Sequence, residues 1–204
     1  MRCYDLHDYF LQHRSKLKSV DFLTKFLSPY CDMGWKDPPP KLQLWQIPRE
    51  FARFLIFMAE HEVNSYIEIG VAHGGTLFTT DSYLRATNPG FRRSVGYDRK
   101  ARLIDYMKYK ARFSGCEFRQ SDSRTIQLNE NFDLAFVDAR HSMKLVRNDF
   151  NKVKDHSKYV AFHDIINPYA SVTEVWEPLK KQYKHWEIID SNESYSCGIG
   201  VIKL

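Results

Sequence analysis

Between Tyr66 and Thr76 the chain reads Tyr-Ile-Glu-Ile-Gly-Val-Ala-His-Gly-Gly-Thr: a short apolar strand ends in a turn with three glycines, and a helix follows. No other stretch constrains the fold as strongly. A backbone that reverses direction and approaches a ligand closely has no room for side chains there, and glycine alone takes positive φ without strain. The spacing is Gly70-x-x-x-Gly74-Gly75 and not the G-x-G-x-x-G that cradles a pyrophosphate. Glu68, two positions before the first glycine, suits a ligand carrying positive charge better than it suits a phosphate.

Beyond this turn, strand and helix patterns alternate. Strands are expected at 66–69, 94–97, 116–120, 134–137 and 159–162. Helical patterns fall at 77–86, at about 101–113, around Met143, Val146, Phe150 and Val153, and around Val172, Val175, Trp176 and Leu179. Such alternation implies an α/β fold with a mostly parallel sheet and helices on both faces. The ending breaks the pattern, because 186–190 and 198–203 are joined only by Ser191 to Cys197. That is too short for a parallel crossover, so these two strands must form an antiparallel hairpin.

Upstream, Pro48 opens an amphipathic helix marked by Phe51, Phe54, Leu55 and Met58. Residues 1–45 read as a separate helical segment, a lid or packing element on a domain spanning 46–204. It holds two short amphipathic helices with Leu6, Phe10, Leu17, Phe22, Leu23, Phe26 and Leu27, then a breaker-rich loop with Gly34 and Pro38 to Pro40. Trp35, Trp45 and Gln46 lie where a lid would cover a ligand, with core packing the expected role of Trp45.

A length of 204 residues suits one domain with a sizeable core, and 43% apolar, 15% aromatic and 27% charged residues argue against disorder. The longest strongly apolar run, Phe54 to Ala59, cannot span a bilayer, and Arg2, Asp5, His7 and Asp8 occupy the place of a secretion signal's apolar core. A cytoplasmic location without a membrane partner is therefore expected. Cys3, Cys31, Cys116 and Cys197 are widely spaced and suggest neither a disulfide framework nor a zinc site. The net charge of +5 is scattered over helix faces, which does not favour nucleic acid as a partner. The sequon Asn192-Glu193-Ser194 is read as chance, and a homo-oligomer is neither indicated nor excluded.

The glycine turn resembles the first motif of class I S-adenosylmethionine (SAM) methyltransferases. SAM has an ammonium and a sulfonium but no phosphate. Strand two closes in Asp98, 30 residues after Glu68, where a carboxylate would accept both ribose hydroxyls. Strand three runs into Ser121-Asp122-Ser123, where class I enzymes contact the adenine amine. Singly, each acid reads equally well as a turn or cap residue. Jointly they imply a SAM pocket of Glu68, Gly70, His73, Gly74, Gly75, Asp98, Asp122 and Asp138, with His73 either against the methionine moiety or exposed in the turn. The antiparallel last strand also resembles the methyltransferase version of the Rossmann architecture.

A second constellation is Phe136-Val137-Asp138-Ala139-Arg140-His141-Ser142 at the end of strand four, with Asp149 further on and Phe162-His163-Asp164 closing strand five. This pattern, over approximately 45–204, resembles the small-molecule O-methyltransferases grouped with macrolide-sugar and cephalosporin-tailoring enzymes. In that family the strand-four Asp and an acidic pair after strand five hold Mg²⁺, and the His three residues after the first Asp is the general base. Carried over, the resemblance implies Asp138, His163 and Asp164 as metal ligands and His141, with Asp138, as catalytic residues. His163 replaces a carboxylate, so Mg²⁺, Mn²⁺, Fe²⁺ and no metal all stay open, as does a structural histidine under the adenosine. Methyl transfer requires an aligned acceptor and removal of its proton, and a divalent ion eases ionisation of a hydroxyl.

The expected activity is thus SAM-dependent O-methylation of a small molecule or sugar, with Mg²⁺ or Mn²⁺ as the candidate second cofactor. One alternative is a SAM-binding protein that is non-catalytic or methylates a macromolecule. Another is an NAD-dependent oxidoreductase, against which the missing third phosphate glycine and the final hairpin argue. Asn167-Pro168-Tyr169 is expected to be a turn.

Overall fold

The computed structural model describes residues 1–31, 42–103, 105–191 and 196–204. Seven strands, β1 (Ser65–Ile69), β2 (Arg93–Asp98), β3 (Cys116–Gln120), β4 (Phe132–Val137), β5 (Ser157–His163), β6 (Lys184–Ile188) and β7 (Ile199–Lys203), form one sheet in the order β3-β2-β1-β4-β5-β7-β6. The first five pair in parallel, and β7 lies antiparallel between β5 and β6. Strand order reverses between β1 and β4, so their carboxyl ends open a crevice at the place where ligands of open α/β sheets bind. The alternation and the final hairpin therefore stand as read.

Among the described residues seven α-helices accompany the strands: α1 (Leu6–Gln12), α2 (Val20–Leu27), α3 (Pro48–Glu60), α4 (Gly75–Thr87), α5 (Tyr106–Arg112), α6 (Met143–Val153) and α7 (Thr173–Gln182). Side chains alternate across the strands and feed two apolar layers. Tyr66, Leu134, Phe136, Ala161 and Val201 face α3 and α4, whereas Ile67, Val95, Ala135, Val160 and Ile202 face α6 and α7. The hairpin strands begin two and one residues away from the expected positions, within the usual fraying of element ends. A larger shift affects α5, which starts at Tyr106 and not near 101. Asp105, at φ +58, blocks the helix on its N-terminal side, and its carboxylate pairs with Arg2 and Lys108.

The N-terminal helices share the first apolar layer. Leu6 and Phe10 of α1 and Leu23 and Leu27 of α2 are fully buried, α1 packing on α4 and α2 on α3. That second cover explains why α4 is buried on all sides even though it carries Thr79, Thr80, Asp81 and Ser82. Asp81 is satisfied there by Arg85 Nε at 2.7 Å, Ser94 Oγ at 2.6 Å and the Tyr109 hydroxyl at 2.8 Å. Among the described residues of the segment, α1 and α2 pack on α4 and α3, and Gln43 and Trp45 reach the crevice, followed by Gln46. Trp35, the prolines 38–40 and the sequon lie outside the described residues. No helix among the described residues is long and apolar enough to cross a membrane.

Candidate functional site

The glycine turn joins β1 to α4 at the crevice. Gly70 takes φ +98, donates its N–H to the Tyr97 carbonyl at 2.8 Å, and leaves so little space that a Cβ would lie 2.3 Å from the Asp138 carbonyl oxygen. Gly74, at φ +89, caps α4. A Cβ on Gly75 would sit 1.7 Å from the carbonyl of Gln43, so the strap at 42–46 can lie on the helix start only because that residue is glycine. Asp98 fastens the turn to β2. Its Oδ2 accepts the Val71 and Ala72 N–H groups at 3.1 and 2.9 Å, and its Oδ1 accepts that of Lys100 at 2.9 Å.

Two cavities meet across this turn, sharing Gly70, Ala72, Asp138 and Ala139. One, of about 270 Å³, is bounded by the ends of β2 and β3 and by α6, with Asp98, Asp122, Leu145 and Asp149 in its wall. The other, of about 320 Å³, is walled by Gln43, Trp45, His73, Gly75, His141, His163, Asp164, Asn167 and Cys197. Among the candidate cofactor-binding, catalytic and metal residues, Glu68 and Gly74 line neither cavity. Glu68 is 1% exposed beneath the turn, where its carboxylate accepts the Tyr66 hydroxyl at 2.8 Å. Burial first, then the Asp138 and Asp98 charges, hold its carboxyl well above the usual range. A carboxyl sealed in this way supports the turn from below and lines neither cavity. His73 is 5% exposed and faces the second cavity, which removes the exposed alternative.

Asp138, His141, His163 and Asp164 converge as their strand-end positions imply. His163 Nδ1 lies 3.2 Å from Asp138 Oδ1 and 3.5 Å from Asp164 Oδ2, and His141 Nδ1 lies 3.1 Å from Asp164 Oδ2. Gln46 Nε2 donates to Asp138 Oδ2 at 2.7 Å and Asn167 Nδ2 to Asp164 Oδ1 at 2.8 Å. Asp164 pays for its place with a left-handed backbone, φ +64, a strained conformation of the sort that functional sites retain. Burial works against an imidazolium at His163, yet the charge and hydrogen bond of Asp138 hold it up to about 10. Burial likewise opposes ionisation of Asp138 and Asp164, and His163 holds both below the ordinary carboxylate range. His141, with 42% of its side chain exposed, is raised chiefly by Asp138.

Donor atoms of Asp138, His141 and Asp164 lie within 4.8 Å of one another, as do those of His163, Asp164 and Cys197. Carboxylate, imidazole and thiol donors together fit Mn²⁺, Fe²⁺ or Zn²⁺ better than Mg²⁺, which prefers oxygens. Any such ion must first displace the proton shared by His163.

Several site residues carried no signal or a misleading one. Trp45 is half-buried in the cavity wall, not in the core, because the strap follows the glycine surface of α4. Asn167 does form a turn, its Oδ1 accepting the Tyr169 N–H at 3.0 Å, and it also orients Asp164. Glu50, which reads as a first-turn helix acid, is fully buried and binds the backbone on both flanks of the β6–β7 connection.

No protein-family model and no curated protein matches the sequence. Solved structures do match the fold. An O-methyltransferase from Bacillus cereus in complex with SAH superposes with a TM-score of 0.58 at 14% identity, over 93% of this chain and 91% of that one. A protein from Staphylococcus aureus, provisionally assigned as a caffeoyl-CoA O-methyltransferase, gives 0.60 at 13% over 97% and 99%. One from Pyrococcus horikoshii, provisionally assigned as an RNA methyltransferase, gives 0.59 at 12% over 90% and 96%. The chain therefore has the fold of class I SAM-dependent methyltransferases.

Proposed function

We propose that the protein transfers the methyl group of SAM to a hydroxyl of a small molecule or sugar. The observation that carries this reading is the convergence of Asp138, His141, His163 and Asp164 beside a cavity that shares Gly70, Ala72, Asp138 and Ala139 with the nucleoside-sized one. SAM bound at the turn would supply an activated methyl group, and the second cavity would align the acceptor oxygen for in-line attack with S-adenosylhomocysteine as the leaving group. The acceptor proton goes to His141. Its Nδ1 lies 3.1 Å from Asp164, and Nε2, 3.8 Å from Asp138, is the nitrogen that takes that proton. Asp138 and Asp164 stabilise the imidazolium that results. His163, Asp164 and Cys197, the donor set that leaves His141 available as base, would hold a divalent ion, and a bound ion would supply Lewis-acid lowering of the hydroxyl pKa. Trp45 and Gln43 bound the second cavity on its strap side, which supports a small acceptor over a nucleic acid.

Thermal shift with SAM, S-adenosylhomocysteine and NAD side by side tests the cofactor. Stabilisation by NAD alone sinks the reading. Methyl transfer to a panel of sugar and phenolic hydroxyls, with and without chelator, then tests the acceptor class. Asp138→Asn should lower turnover sharply, and undiminished turnover in that variant would remove Asp138 from the chemistry.

A further inference from the structure

The adenine amine is the part of the cofactor for which the sequence pointed to Asp122, but that side chain is already engaged. Its Oδ1 accepts the N–H of Arg124 at 3.0 Å and Nε–H at 2.9 Å, and its Oδ2 accepts Nη2–H of the same arginine at 2.7 Å. The guanidinium holds the acid well below the usual carboxylate range and turns it into the anchor of its own loop.

Asp149 offers what Asp122 lacks. It lies on α6, is 1% exposed, and faces the same cavity. One oxygen, Oδ1, accepts the Asn148 amide at 3.0 Å, but no donor from the described residues reaches Oδ2. A buried acceptor without a donor is costly, and native structures rarely keep one without a reason. Burial pushes this carboxyl up, and although the Ser123 hydroxyl lies near enough to temper that, it makes no hydrogen bond of ordinary geometry to Oδ2. Leu145, one turn earlier on the same helix, lines the cavity too and supplies an apolar wall for a flat ring. On the SAM reading the ribose hydroxyls lie at the end of β2 beside Asp98, whose oxygens already accept backbone N–H groups of the turn and of Lys100. The remaining donor on an adenosine is the exocyclic amine.

We propose that Asp149, and not Asp122, accepts the adenine amine and makes the nucleoside cavity selective for amino-bearing purines. The proposal rests on the SAM reading above. A purine with an oxo group at that position would set one acceptor against another, and its binding should fall by roughly 10- to 100-fold for one charge-assisted hydrogen bond lost.

Calorimetric titration of the full chain with S-adenosylhomocysteine and with S-inosylhomocysteine measures that ratio directly. The wild-type protein should favour the adenosyl compound by about that factor. Asp149→Asn, whose amide can both donate and accept, should bring the ratio close to one. Asp122→Ala should leave it unchanged. Because Asp149→Asn removes a buried charge that lacks a full set of donors, it should melt no lower than the parent, so a lost preference is not a lost fold. An unchanged ratio in Asp149→Asn overturns the assignment, and collapse in Asp122→Ala alone returns the role to Asp122. If the wild-type protein binds neither nucleoside, the SAM reading itself falls and the assignment with it.

Discussion

Glu50 provides the sharpest test of how the site is held. It stands in the first turn of α3 with no exposed surface. Its Oε1 accepts the Asp190 N–H at 3.0 Å and the Ser196 hydroxyl, and its Oε2 accepts the Gly198 N–H at 2.9 Å. One carboxylate thus clamps both flanks of the β6–β7 connection, and Cys197, between two of those contacts, is delivered to the second cavity. Glu50→Gln keeps the volume but turns one acceptor oxygen into a donor. Whichever way the amide lies, at least one backbone N–H is left buried without an acceptor, at about 1–3 kcal/mol. The bonds that survive exchange a charged acceptor for a neutral one, so the whole loss is about 2–4 kcal/mol. For a chain of this size each kcal/mol moves Tm by roughly 2–4 °C, which puts the variant about 4–16 °C below the parent. Differential scanning calorimetry reads that shift, and titration with S-adenosylhomocysteine should show affinity in the first cavity little changed. An unchanged Tm would mean that the clamp is not made in solution, and the account of how Cys197 reaches the site would fall with it.

Three further outcomes follow from the same geometry. Gly75→Ala must push the strap away from α4, since the new Cβ would start 1.7 Å from the Gln43 carbonyl; about 1–3 kcal/mol of destabilisation and a weakened Gln46–Asp138 contact are expected, read by thermal melting and acceptor KM. His141 must be neutral to accept a proton, and Asp138 raises its pKa, so the acid limb of kcat/KM should fall above the ordinary imidazole value of about 6.5 and move acidward in whatever activity Asp138→Asn retains. A wild-type limb below that value would remove His141 as the base. Asp81→Asn strips the charge partner from Arg85 inside the α4 layer, and chemical denaturation should register a loss of about 3–5 kcal/mol without any change in the selectivity of the nucleoside cavity.

The sheet was legible because its signals are local. Apolar runs of strand length, the breakers between them and a seven-residue link too short for a crossover leave little freedom in topology. The second constellation was legible for a related reason: residues at the ends of β4 and β5 must be neighbours once those strands pair, so Asp138 and His163 could be brought together on paper. What escaped depends on contacts that spacing does not encode. Gln46 reaches Asp138 across 92 positions of sequence, and Glu50 reaches Gly198 across 148. The all-round burial of α4 likewise requires knowing that α1 covers its outer face.

The acids of the cofactor cavity show where the limit lies. A strand-end carboxylate is recognisable from sequence as polar, well placed and near the ligand, but its capacity to bind depends on which of its oxygens the protein has already used. Asp98 spends acceptor capacity on the turn it was expected to serve, and Glu68 is sealed under that turn by Tyr66. For Asp122 the warning was present in the chain itself, since Arg124 two residues on can fold back onto the carboxylate in a bidentate pair. An acid followed so closely by an arginine in an exposed loop is a candidate for self-neutralisation before it is a candidate for ligand binding. Asp149 has no such partner, and its position at i+4 from Leu145 on one helix face puts it in the cavity wall. Candidate acids are therefore better ranked by the acceptor atoms they keep free than by the strand they terminate.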